Sequence, residues 1–224
     1  MFVVEYRYPV ILNFPDDNVI ADLQNIVDEY TNHKIEPGVI EFYHKDQCRK
    51  IGISTNKAVI ALENMDDLKL FDAEYNRFNN IVEKLHIKRF TRLGIRNFFI
   101  YPVLNKTLQD SKIDLAKYQF NNDKLPINIL NSISDFPESD FAIVLEQHQN
   151  NKGINFKYGI VDKNEVATKY SFFKYQYDPE IGLFFDIDNY LLTDVYCPMK
   201  RGQILEIFET NKKYFENFVK NWAI

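Results

Sequence analysis

Two arginines flank a glycine in the stretch Arg89 to Val103, RFTRLGIRNFFIYPV. Side chains of a strand alternate between faces, so Arg92, Gly94 and Arg96 share one side while Leu93, Ile95, Phe99 and Tyr101 share the other. A guanidinium is a planar fork matched to carboxylate or phosphate, and a glycine between two of them lets a ligand or another backbone come close. Arg92, Gly94, Arg96 and Arg89 are therefore candidate anion- or partner-binding residues, and Arg7 joins them if the first strand pairs with this one. Four residues of strand separate Arg92 and Arg96 by roughly 13 Å, which suits a long or multiply charged ligand better than one small anion. The competing reading is that both arginines pair with acidic neighbours on a solvated sheet face.

Acidic residues form a second constellation. Asp186 and Asp188 share a face of the strand LFFDIDNYLL, and Glu146 and His148 share a face of FAIVLEQHQ. If those two strands lie together, three carboxylates and an imidazole converge, a donor set suited to Mg²⁺ or Mn²⁺ in phosphoryl transfer. A solvated outer face, with the carboxylates pairing with arginines, accounts for the same residues. No serine, cysteine or histidine stands in a nucleophile-elbow context, and His33, His44, His86 and His148 are scattered. Phosphate-loop, dinucleotide and zinc signatures are missing as well. The sequence therefore assigns no catalytic residue and no cofactor.

The surrounding chain is globular in composition, with 224 residues of which 46% are hydrophobic and 26% charged. Nineteen Phe and 14 Tyr against only 7 Gly point to sheets with broad packed faces. A net charge of −5 argues against a nucleic-acid coat and leaves a local basic patch open. Cys48 and Cys197 have no metal-type spacing and read as free thiols of a reducing cytosol. The opening MFVVEYRYPVILNF lacks a charged region and a cleavage site, and no apolar run approaches the ~20 residues that span a bilayer. No membrane role and a cytoplasmic location are the expectation.

Elements that position these residues follow from periodicity. Phe2 to Ile11 alternates as a first strand, and Pro9 suggests an edge. Asp16 and Asp17 open a helix carrying Val19, Leu23, Ile26, Val27 and Tyr30, and Pro37-Gly38 ends that excursion. Short strands are expected over Val39 to His44, Lys50 to Ser54 and Ala58 to Glu63. Asp66 and Asp67 open a second helix with Leu68, Phe71, Tyr75, Phe78, Val82 and Leu85 in one stripe. Leu104 to Pro126 reads as a connector, and Ile127 to Ile133 as a short helical turn. The hairpin Phe141 to Gln149 and Ile154 to Val161 follows, then strands over Val166 to Tyr177 and Leu183 to Leu191. A last helix runs from about Gln203 to Trp222. The fold class is α+β, mainly antiparallel sheet packed against long amphipathic helices. Element order suggests two related β-meander-plus-helix halves, 1–104 and 105–224, within one integrated unit.

Two motifs carry a resemblance: Arg92-Leu93-Gly94-Ile95-Arg96 after the helix containing Tyr75 and Phe78, and Leu183-Phe184-Phe185-Asp186-Ile187-Asp188 near the C-terminus. In these the chain resembles a sporadically distributed, functionally uncharacterised family of prokaryotic proteins of about this length. Asn97, Phe98 and Phe99 stand where that family continues with Tyr and Ile-Asn. The resemblance implies a cytoplasmic prokaryotic protein and transfers no catalytic residue.

The leading expectation is a non-enzymatic binding or interaction protein whose arginine face recognises an anionic small molecule or an acidic protein surface. A metal-dependent phosphoryl-transfer enzyme or nuclease using Asp186, Asp188 and Glu146 with His148 is the alternative. A self-associating homo-oligomer, joined through an edge such as the first strand, is the third.

Overall fold

The structure is a computed structural model that describes residues 1–222 apart from 13, 15–16, 27–28, 45, 47, 64–67, 121–131, 134, 136–140 and 170–178. The expected helix-opening residues Asp16, Asp66 and Asp67, and most of the expected strand to Tyr177 and turn from Ile127, lie outside the described residues. The fold is α+β with an antiparallel sheet. Its strands are β1 (Phe2–Arg7), β2 (Asn32–Glu36), β3 (Val39–Tyr43), β4 (Arg49–Ser54), β5 (Lys57–Leu62), β6 (Arg92–Pro102), β7 (Ala142–Gln149), β8 (Lys152–Asp162) and β9 (Ile181–Leu192). Their order across the sheet is β2-β3-β4-β5-β1-β6-β9-β8-β7. The helices are α1 (Asp17–Ile26), α2 (Leu68–Lys84), α3 (Leu108–Phe120), α4 (Lys163–Lys169) and α5 (Arg201–Trp222). None of them is long and apolar enough to cross a membrane.

Two compact units make up the chain, and each draws on several segments. The first comprises Met1–Asn97, His148–Ile154 and Asp188–Phe208, the second Phe98–Gln147, Asn155–Ile187 and Glu209–Ile224. These do not coincide with the sequence halves 1–104 and 105–224, because a sheet that brings β6, β9 and β8 side by side groups residues distant along the chain.

In the first unit, alternation places Phe2, Val4, Tyr6, Ile40, Phe42, Ile51, Ile53, Ala58, Ile60, Leu62, Leu93 and Ile95 on one buried face. Leu23 of α1, Phe71, Tyr75, Phe78, Ile81 and Val82 of α2, and Ile204 of α5 complete this core. Burying one such large side chain contributes about 1.5–3 kcal/mol. Within the core the Tyr6 hydroxyl lies 2.7 Å from that of Tyr75, which donates to the Met199 carbonyl. His86 stops α2 by adopting φ 50°, the left-handed conformation that releases the chain from a helix. In the second unit, Phe185 packs against Tyr158, Phe215 and Phe218 with ring centroids 4.9–5.4 Å apart.

Four elements differ from expectation. The first strand is central, between β5 and β6, so it offers no edge; Pro9 falls beyond its end at Arg7. β2, a polar strand exposed along its whole length, has no alternating pattern because neither face is covered. The connector contains α3, whose buried side includes Ser111, Lys112 and Ala116 beside Leu115 and so shows no apolar stripe. Its N-terminus is nonetheless marked by Thr107, whose Oγ1 accepts the Asp110 N–H at 3.1 Å. Finally α4 occupies the start of the expected Val166 strand, capped by Asp162 Oδ1 accepting the Glu165 N–H at 2.8 Å.

Candidate functional site on the arginine strand

The β1–β6 register sets Arg7 opposite Arg92, Glu5 opposite Gly94 and Val3 opposite Arg96. Residues directly opposite one another project to the same side, so the three arginines and Glu5 share the face away from the core. β9 brings Asp188 and Tyr190 to it from the other flank, as the Arg92 contacts show.

Arg92 is held on every side. Its Nη1 donates to Glu5 Oε1 at 2.9 Å, and its Nη2 reaches both Asp188 oxygens at 2.8 and 2.7 Å. The guanidinium carbon lies 4.7 Å from the Tyr190 ring centroid, a cation–π stack. Beneath it is Gly94: a Cβ there would fall 2.6 Å from Arg92 Nη1 and 3.3 Å from Cζ. The glycine thus receives the neighbouring guanidinium, a closer and more specific use than the expected approach of a ligand. Tyr190 is positioned in the same way, since a Cβ on Gly153 would fall 2.7 Å from its Cε1 and closer still to Cζ. The Tyr190 hydroxyl lies 2.6 Å from His148 Nδ1.

Arg7 and Arg96 are placed differently. Arg7 Nε donates to Glu5 Oε1 at 2.7 Å, but its side chain is 52% exposed, against 13% for Arg92. Arg96 is exposed on the same face. Arg89 is exposed too, and precedes the strand; the adjoining Thr91 donates its N–H to the Arg7 carbonyl at 2.7 Å.

Among the described residues no group of three or more His, Cys, Asp and Glu could hold a metal ion. Asp188 turns both oxygens to Arg92, and His148 meets Tyr190 instead of a carboxylate. Asp186 is buried and Glu146 exposed, in the second unit. Of the four candidate ligands, Asp188 thus takes part in the arginine pairing that rivalled the metal reading.

A second charged cluster escaped the sequence reading. Glu74 of α2 is 1% exposed, and its Oε1 accepts from Arg49 Nη1 and Arg77 Nη1, each at 2.7 Å. Its Oε2 accepts the Tyr30 hydroxyl at 2.6 Å. Burial, then this hydrogen bond and the Glu74 charge, push the Tyr30 phenol above its ordinary range. Arg49 Nη2 also lies 2.7 Å from Nε2 of buried His44, whose Nδ1 is 2.9 Å from Asp46 Oδ1. Burial alone would raise the Asp46 carboxyl, but hydrogen bonds from the Cys48 backbone, Arg49 and His44 outweigh it and hold it low. The signal was legible: Glu74 sits three residues after Phe71 and four before Phe78, on the apolar stripe. Likewise Arg49 alternates with Ile51 and Ile53, and His44 with Phe42. Ionisable groups on core faces need buried partners, and here they find one another.

The sequence matches no protein-family model and none of the curated proteins compared with it.

Proposed function

We propose that this chain is a non-enzymatic binding protein that recognises an anionic ligand or an acidic protein surface on the outer face of the β1–β6 pair. The carrying observation is the division of labour among its arginines. Arg92 is consumed by Glu5, Asp188 and Tyr190, whereas Arg7 and Arg96 reach solvent on either side of it. Arg92 then acts as the rigid middle of the platform, and Arg7 and Arg96 make the contacts with anionic groups. Because both are exposed, their attraction is salt-screened and serves an extended, multiply charged partner better than a single ion.

The test is binding of nucleotides, oligonucleotides and acidic peptides to the parent and to an Arg7→Ala/Arg96→Ala variant at two salt concentrations. Loss of the interaction in the variant, with binding by the parent weakening as salt rises, is the expected result. A folded double variant that keeps every interaction of the parent removes this reading.

A further inference from the structure

The two edges of the sheet are built differently. β2, at one end, carries Lys34 and Glu36, whose side chains pair at 2.8 Å and place charge along that edge. Charged side chains of this kind are a common guard against edge-to-edge pairing. β7, the outermost strand at the other end among the described residues, has no such guard from Ala142 to Leu145. Val144 is 58% exposed and Leu145 50%, and because they are adjacent in a strand they stand on opposite faces. Apolar groups are therefore open on both sides of a strand whose outer backbone has no neighbouring strand among the described residues.

The turn fixes which backbone groups face outward. Asn150, at φ 56°, and Asn151 form a two-residue turn that sets Gln149 opposite Lys152. The same register puts Gly159 opposite Ala142, and a Cβ on Gly159 would indeed lie 3.2 Å from the Ala142 Cβ. Antiparallel bonding alternates along a strand, so the N–H and C=O groups of Ala142, Val144 and Glu146 point away from β8.

We propose that β7 pairs antiparallel with β7 of a second copy of this chain, about a two-fold axis at Val144. In that register Val144 meets Val144 of the second copy, and the outward backbone groups of both are bonded. Ile143 falls against Leu145, so apolar meets apolar on one face. Glu146, the first charge in the strand, falls against Ala142, with the two Glu146 residues offset by four positions, roughly 13 Å. A register centred on Glu146 would oppose like charges, which disfavours it. The strand is complementary to itself in hydrogen bonding, apolar contact and charge, as an isologous contact demands.

Sedimentation of the parent across a concentration series is expected to show a monomer–dimer equilibrium. Val144→Lys should shift it to monomer with an unchanged circular dichroism melt. A second variant covers the case in which that substitution disturbs folding: Val144→Cys, with Cys48 and Cys197 replaced by serine, should be joined to itself by a short bismaleimide, and Lys152→Cys in the same background should not. A parent that stays monomeric at high concentration, a folded Val144→Lys variant that still dimerises, or failure of Val144→Cys to crosslink overturns the proposal.

Discussion

Gly94 and Arg92 occupy one another's space: the guanidinium lies where a side chain on the glycine would be, with Nη1 2.6 Å from the position of a Cβ. Arg92 cannot simply swing aside, because two carboxylates and a phenol ring hold it.

Gly94→Ala is therefore expected to destabilise the protein by about 1–2 kcal/mol, the cost of displacing a packed and ion-paired group. In an Arg92→Ala background the same substitution should cost nothing, since alanine suits a strand better than glycine. Denaturant unfolding of the four variants measures the coupling, and equal costs in both backgrounds would show that the glycine serves another purpose.

Glu74 joins two guanidinium groups and a buried phenol, and removing it leaves those groups without their shared acceptor. Glu74→Ala should cost about 3–5 kcal/mol in urea unfolding, the range for breaking a buried ion pair from one side. A loss below about 1 kcal/mol would place this cluster with ordinary surface pairs.

Burial pushes the Glu63 carboxyl up to about 7, and its buried Oε2 has no hydrogen-bond partner among the described residues. The folded state thus holds this proton more tightly than the unfolded chain, whose carboxyl titrates near 4.5. The resulting stability is fully present below about 4.5 and is lost as the pH rises towards 7. With the carboxyl only half buried, solvent screening reduces the effect to on the order of 1 kcal/mol. Glu63→Gln should flatten the stability profile in that window, measured by urea midpoints from pH 4.5 to 7.5; an unchanged slope would contradict the assignment.

Both cysteines are free, Cys197 exposed and Cys48 partly covered. Burial, then the nearby Glu63 and Asp46 carboxylates, raises the Cys48 thiol above its ordinary value. Since the thiolate is the reactive form, Cys197 should react with a maleimide several-fold faster at neutral pH. Mass-resolved labelling of the two sites checks the order, and faster reaction at Cys48 would reverse it.

Period alone determined the elements whose two sides face different media. β1, β3 and the stripes of α1, α2 and α5 were legible because one side of each is more deeply buried than the other. β2, α3 and α4 left no such trace: the strand is exposed along its length, α3 buries small and polar groups, and α4 is marked by its cap. The sequence also placed Arg92, Gly94 and Arg96 on one face of their strand and brought Arg7 beside them on pairing, and the register bears this out. What it could not contain is which strand lies on the far side of β6. That choice put Asp188 and Tyr190 against Arg92, turned an apparent ligand into a structural partner, and made the first strand central and β7 an edge. Local periodicity records which medium each side of an element faces, whereas strand order is settled by all the elements at once, and the partner of a charge is fixed with it.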